Sequence, residues 1–295
     1  MKRTAFIAIV GRPNVGKSTL LNSIIGEKVA IVSKKPQTTR NRITGIYTTG
    51  DDQFVFLDTP GLHKPRTKLG DYMVKTTSQT LGGVDYAVLV VEAREEVGDI
   101  EAQLISRFKA DGMRAILVIN KIDTVRAANI AKTIQAYSEA FSFDAVIPIA
   151  AKSGKGVDIV IDECKQYLSE GEWFFSDDMI TDQPERQIVA EIIREKLLRT
   201  LDEEIPHGTA VTIEEWKDKK DVVSIRAEIY CEKASHKGII IGKRGALIKQ
   251  IGTQARADIE KMLDARVFLD LYVRVKENWR ENDFNINNFG YRDEE

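Results

Sequence analysis

Eight residues near the start constrain this chain more than any others. Gly11, Arg12, Pro13, Asn14, Val15, Gly16, Lys17 and Ser18 complete a G-x-x-x-x-G-K-[ST] phosphate-binding loop. An apolar run, Phe6 to Val10, precedes it, and a helix-like stretch, Leu20 to Ile25, follows. Such a loop needs that setting: strand, Gly-rich turn, helix N-terminus. Backbone N–H groups there wrap a polyphosphate, and the helix dipole favours its charge. Lys17 offers a point charge to the terminal phosphates, and the Ser18 hydroxyl a ligand for Mg²⁺. With Gly near 7% of residues, the four fixed positions recur by chance in roughly 1% of chains this long.

A chain of 295 residues is expected to hold two domains. Its hydrophobic fraction of 43% suffices for a real core, and a net charge of −2 excludes a polyanion-binding surface over the whole molecule. Any nucleic-acid surface must be local. Cys164 and Cys231 have no metal-type spacing and read as small buried hydrophobes of a reducing compartment. The first residues are not expected to act as a signal peptide, because their short apolar run ends in the phosphate loop. No window approaches the roughly 18 apolar residues of a membrane span. A cytoplasmic location is expected.

Apolar runs at Phe6–Val10, Phe54–Leu57, Tyr86–Val91, Ala115–Ile119 and Ala145–Ile149 alternate with helical stretches. This predicts an α/β domain over residues 1–170, a mostly parallel sheet with helices on both faces. Ligands of such sheets lie at the carboxyl ends of the strands, and every motif falls at one. After the second run come Asp58, Thr59, Pro60 and Gly61: a carboxylate for Mg²⁺ through water and an N–H for a γ-phosphate. After the fourth come Asn120, Lys121, Ile122 and Asp123. Guanine presents two adjacent donors that one carboxylate accepts, whereas adenine would leave Asp123 unpaired at a cost that excludes ATP. Asn120 ties the base to the phosphate loop, and the Lys121 stem lies along the ring.

Residues 171–183 break the alternation and read as a linker, with Trp173, Phe174 and Phe175 docking it onto a domain. The second domain, residues 184–295, opens at Pro184 with a helix whose Val189, Ile193 and Leu197 recur every fourth residue. Strands are predicted over Ala210–Trp216, Val223–Cys231 and Val267–Val275, the last two alternating with period two, and a helix over Ala246–Leu263. The remaining C-terminal residues read as a tail. The order is α-β-β-α-α-β. Gly242, Lys243, Arg244 and Gly245 form a Gly-x-x-Gly turn between helices. Residues 181–295 hold 20 basic against 23 acidic residues, yet between Lys233 and Arg256 the only charged residues are Lys233, Lys237, Lys243, Arg244, Lys249 and Arg256, all basic. That window suggests a directed phosphate surface.

The first domain resembles Ras-like, translation-factor-related GTPases in the order of its motifs. The resemblance implies GTP or GDP held by residues 11–18 with Thr19, by Asp58 to Gly61, by Asn120, Lys121 and Asp123, and by Ala150, Ala151 and Lys152. The last three resemble a Ser-Ala-Lys element whose backbone meets the guanine, with Ala150 in place of serine. The family's first switch corresponds to Lys35, Pro36, Gln37, Thr38, Thr39 and Arg40; one threonine, Thr38 or Thr39, joins Ser18 and Asp58 at Mg²⁺. Leu62 stands where Ras-like enzymes orient water with glutamine, so slow intrinsic hydrolysis is expected. Asn14 lies where related GTPases coordinate K⁺. The catalytic candidates are therefore Lys17, Gly61, Thr38, Thr39 and Asn14.

The second domain resembles a type II KH domain, an α+β fold whose Gly-x-x-Gly loop clamps about four single-stranded nucleotides. One GTPase domain followed by one such domain resembles the Era family of bacterial GTPases. Matching phrases are Gly11 to Asn22, Pro36 to Arg40, Asp58 to His63, Asp182 to Arg186 and Ile240 to Gly245. The resemblance implies a switch that binds the 3′ end of 16S ribosomal RNA and assists small-subunit maturation. Peripheral association with the inner face of the cell membrane is also implied, and DNA is not expected. The alternative is a constitutive RNA binder whose GTPase domain controls another partner. A tandem-GTPase protein of the Der type is disfavoured by the single phosphate loop.

Overall fold

The apolar runs of the first half are strands of one sheet in the protein's computed structural model, which describes residues 1–292. In chain order the elements are β1 (Arg3–Val10), α1 (Lys17–Ile25), β2 (Ile43–Thr49), β3 (Asp52–Asp58), α2 (Lys68–Gly82), β4 (Tyr86–Glu92), α3 (Asp99–Asp111), β5 (Arg114–Asn120), α4 (Ala127–Ala140), β6 (Val146–Pro148), α5 (Val157–Cys164) and β7 (Ser169–Glu170). The chain then forms α6 (Glu185–Thr200), β8 (Ala210–Lys219), β9 (Val222–Cys231), α7 (Ala234–Ile241), α8 (Ala246–Leu263), β10 (Val267–Val275) and α9 (Asp283–Asn288). Contacts divide them into two units. The first holds Met1–Ala30, Thr39–Pro65 and Met73–Asp182; the second holds Ile31–Thr38, Arg66–Tyr72 and the chain from Gln183.

In the first unit the strand order is β2-β3-β1-β4-β5-β6. Neighbours from β3 to β6 are parallel, and β2 returns antiparallel to β3. Strands buried on both faces read as continuous apolar runs, and the two-residue period sorts their side chains. Ile7, Ile9, Val88, Val90, Ile116 and Val118 face one side, with Leu20 of α1 and Val160 of α5. Ala8, Val10, Leu89, Val91, Leu117 and Ile119 face the other, with Leu104 and Phe108 of α3 and Tyr137 of α4.

Sequence reading missed β2, which lies at the sheet edge. The stretch expected as a linker covers it. The Ile46 N–H donates to the Ile180 carbonyl (2.9 Å), and the Thr181 hydroxyl donates to the Thr44 carbonyl (2.7 Å). Buried Gln53 accepts from the N–H groups of Phe174 and Phe175, and Trp173 Nε1 donates to the Asp51 carbonyl. Phe174 meets Phe6 edge to face at 4.8 Å. The strap pairs backbone groups that an open edge would expose.

The second unit has a three-stranded sheet, β10-β9-β8, with β9 antiparallel to β8 and parallel to β10. Val189, Ile193 and Leu197 of α6 and Ile251, Ala255 and Ile259 of α8 join Ile225, Ala227 and Ile229 of β9 in its core. The region expected as a tail is structured. Trp279 is fully buried and donates Nε1–H to the Gly208 carbonyl (2.9 Å). Around it gather Leu69, Ala210, Ile286, Tyr291 and Phe289.

Candidate nucleotide site and nucleic-acid interface

The phosphate loop joins β1 to α1 as its setting requires. Gly16 caps α1 at φ 101°, and a Cβ there would collide with the Asn120 amide. That contact explains Asn120, which is 3% exposed and sits at the end of β5. Its Nδ2 donates to the Val15 carbonyl (2.9 Å), while its Oδ1 accepts from the N–H groups of Lys121 (2.8 Å) and Ala151 (3.0 Å). One side chain thus fastens the phosphate loop to both segments expected at the base. Lys121 stands at φ 62° and reaches back to the Asn14 carbonyl (2.7 Å) and to Glu92. Asp123 is exposed. The Ala150 N–H is spent on the Lys155 carbonyl (3.0 Å), and Lys152 is exposed.

Three oxygens converge beside the loop. Ser18 Oγ donates to Asp58 Oδ2 (2.6 Å) and lies 2.9 Å from Thr39 Oγ1. Asp58 is fully buried at the end of β3, and burial pushes its carboxyl up to about 6 against the pull of Lys17 and of hydrogen bonds from Ser18 and Thr39. Its Oδ1 is buried without a partner. Burial pulls Lys17 down to about 8, opposed by Asp58. Two hydroxyls and a carboxylate with an orphaned oxygen fit a hard cation such as Mg²⁺, whose charge would offset the desolvation of Asp58. Of the two candidate threonines only Thr39 belongs to this group. Thr38 turns its hydroxyl to the Lys35 carbonyl (2.7 Å).

The other sequence candidates have distinct positions. Lys17 Nζ donates to the carbonyls of Gly11 (3.1 Å) and Arg12 (2.9 Å). Thr59 Oγ1 donates to the Ile9 carbonyl (2.9 Å), and the Pro60 carbonyl accepts from Thr77 (3.1 Å), so both anchor the turn. Gly61 sits against Pro13, and the Leu62 N–H donates to the Gly11 carbonyl (3.3 Å). Thr19 is half-buried in the first turn of α1, and Asn14 is exposed at φ 66°. Arg12 is drawn to Glu101 of α3, which is 1% exposed and 89 residues away. Glu101 carried no sequence signal, because nothing local distinguishes it from a solvated helix residue.

In the second unit, Gly242 to Gly245 link α7 to α8 as a tight turn with Gly242 at φ 73°, ψ 175°, Arg244 at φ 53° and Gly245 at φ 77°. A Cβ on Gly242 would lie 2.6 Å from that of Leu247. Lys233, Lys237, Lys243, Arg244, Lys249 and Arg256 are all exposed. The same unit contains residues 31–38, fastened to α6. Fully buried Glu195 accepts from the Val32 N–H (2.9 Å), Arg199 donates to the Val32 carbonyl (2.9 Å), and fully buried Arg194 donates to the Thr38 carbonyl. Lys35 donates to the Leu201 carbonyl and pairs with Asp202 (3.7 Å).

Comparison with known proteins decides the family. A family model described as 50S ribosome-binding GTPase matches residues 6–121, and a KH domain model matches residues 204–280. GTPase Era of Clostridioides difficile (strain 630) is 49% identical over 99% of this chain and 100% of its own length. GTPase Era of Ruminiclostridium cellulolyticum is 47% identical over 98% of both. The chain belongs to the Era family of GTPases. It is accordingly a GTP-hydrolysing enzyme with a phosphate-loop domain and a KH domain. Solved Era structures share its fold. One in complex with MgGDPNP and nucleotides 1506–1542 of 16S ribosomal RNA has a TM-score of 0.94, 38% identity and 99% coverage of each chain. A substituted Aquifex aeolicus Era bound to GDP·AlF4⁻ has the same TM-score and identity over 98% of this chain and 99% of its own.

Proposed function

We propose that this Era-family GTPase is a switch that binds single-stranded 16S ribosomal RNA at its 3′ end and assists small ribosomal subunit maturation. The observation that carries the reading is the Gly242–Gly245 turn, presented with six exposed basic residues and no acid between Lys233 and Arg256. Glycines without side chains let a phosphate approach the backbone, and Lys243 and Arg244 add charge-assisted contacts. The Era relative solved with 16S ribosomal RNA nucleotides supports the choice of partner.

On the nucleotide side, Ser18, Thr39 and Asp58 would hold Mg²⁺, which when bound neutralises charge on the β- and γ-phosphates. Lys17 would exchange its two carbonyl partners for phosphate oxygens. Asp123 would accept the paired donors of guanine, with Asn120 holding its segment to the loop. Gly61 would offer its N–H to the γ-phosphate. Leu62 cannot orient water, so hydrolysis is slow until another group helps; K⁺ beside Asn14 is the candidate implied by related GTPases.

Coupling between nucleotide and RNA would run through the first switch. Thr39 belongs to the cation group, while its neighbour Thr38 is held by Arg194 of α6. A nucleotide that moves Thr39 therefore pulls on a segment fastened at Val32, Lys35 and Thr38. The ribosomal target implies a cytoplasmic location, and peripheral contact with the membrane is the family's further implication. The test is titration of a short RNA from the 16S 3′ end with a non-hydrolysable GTP analogue and with GDP at one salt concentration. Tighter binding with the analogue is expected. Equal binding would leave a constitutive RNA binder.

A further inference from the structure

A groove of about 810 Å³ runs between α6 and α8, lined by Lys196, Arg199, Thr200, Leu247, Gln250, Gln254, Ala257 and Asp258. It lies within the second unit and falls outside the Gly-x-x-Gly turn. We propose that this groove takes the ribose edge of the RNA that flanks the segment held at Gly242–Gly245. The inference rests on the RNA-binding reading above and extends it to a second subsite.

Its position follows from α8. Leu247, Gln250, Gln254 and Asp258 are spaced three and four apart and form one stripe of the helix, beside the core stripe of Ile251, Ala255 and Ile259. Leu247 both lines the groove and sets the close contact at Gly242. Gln250 is five residues beyond Gly245, about 7.5 Å of helix rise. A strand leaving the turn on this side reaches the groove within a few nucleotides.

The chemistry of the walls selects the ligand. The cations are already matched: Lys196, 4% exposed, pairs with Glu195 (3.0 Å) and with Asp258, and Arg199 pairs with Glu195 (3.0 Å). What remains is neutral and two-sided. Gln250 and Gln254 are exposed, and neither side chain forms a hydrogen bond among the described residues. With the Thr200 hydroxyl they offer both donors and acceptors. A phosphate would use only the donors of these groups, whereas a 2′-hydroxyl, donor and acceptor at once, uses both the donors and the acceptors of amides and hydroxyls. Leu247 and Ala257 supply apolar contact for the sugar carbons.

The test uses the full-length protein with a GTP analogue at one fixed salt concentration. Three ligands are compared: a short single strand that fills the turn, the same strand extended on either side, and the extended strand with a deoxyribose flank. Extension should tighten binding to the wild-type protein, and the deoxyribose flank should cancel the gain. Gln250→Ala and Gln254→Ala should each reduce the gain about fivefold, the worth of one neutral hydrogen bond. Short-strand affinity and the salt slope should stay unchanged, since no charge is removed. Alanine favours the helix, so both variants should fold. A double variant that keeps the gain, or a deoxyribose flank that binds as tightly, overturns the proposal. Gly242→Asp separates the two readings: if short-strand affinity survives it, the clamp reading fails and the flank reading falls with it.

Discussion

At the residue scale, Asn120 and Asp123 of the proposed base site are placed differently. Asn120 is buried and ties Val15 to Lys121 and Ala151, whereas Asp123 stands exposed three residues past the end of β5. Nucleotide preference should therefore rest on Asp123. Asp123→Asn puts an amide where guanine presents donors, and GTP affinity should fall about a hundredfold, two charge-assisted bonds being worth about 3 kcal/mol together. Competition between GTP and xanthosine triphosphate, whose ring carries an acceptor in place of the guanine amine, provides the check; preference for GTP should be lost. The Asn120–Asp123 motif was legible in sequence as a short local pattern at the end of an apolar run. Glu101 was not, because its role exists only once α3 brings it to Arg12.

Two elements of the second unit bear predictions. The turn between α7 and α8 depends on Gly242, whose φ of 73° and contact with Leu247 leave no room for a side chain. Gly242→Asp adds strain and a negative charge beneath Lys243 and Arg244, so RNA affinity should drop at least tenfold at constant salt. A melting curve run alongside checks that the unit still folds. The segment around Trp279 is the other. A fully buried indole with its N–H bonded to Gly208 anchors residues read from sequence as a tail. Trp279→Ala should cost about 3–5 kcal/mol, measured as loss of stability in denaturant. Helix α8 and strand β10 have the bounds expected from their periodicity, 246–263 and 267–275. Strand β2 and the Trp279 segment escaped notice because their partners, the strap near Ile180 and the cluster with Leu69, lie far away in sequence.

For the whole molecule, the consequential feature is that residues 31–38 are fastened to α6 while Thr39 joins Ser18 and Asp58. Lys35→Met removes one of these fastenings, its bond to Leu201 and its pair with Asp202, without opening a buried charge. If this segment carries the coupling, the ratio of RNA affinities with GTP analogue and GDP should fall toward one, read by the titration already described. A ratio equal to that of the wild-type protein would place the coupling elsewhere.

By itself the sequence determined the chemistry that depends on neighbouring residues. The phosphate loop, the Asn120–Asp123 motif, the Gly-x-x-Gly turn and the apolar periods are each written within a few positions, because backbone geometry and side-chain spacing act over that range. Tertiary structure alone decided which threonine meets Asp58, what Arg12 does, why the Trp173–Phe175 strap is fixed, and how Arg194, Glu195 and Lys196 are buried on a charged helix. Those charges are met in part on their own helix, by Glu191, by the Lys196–Glu195 pair and by Arg199. Their burial is completed by groups from distant segments, Asp258, the Val32 N–H and the Thr38 carbonyl. Such pairings carry no local pattern, so only the folded chain reveals them.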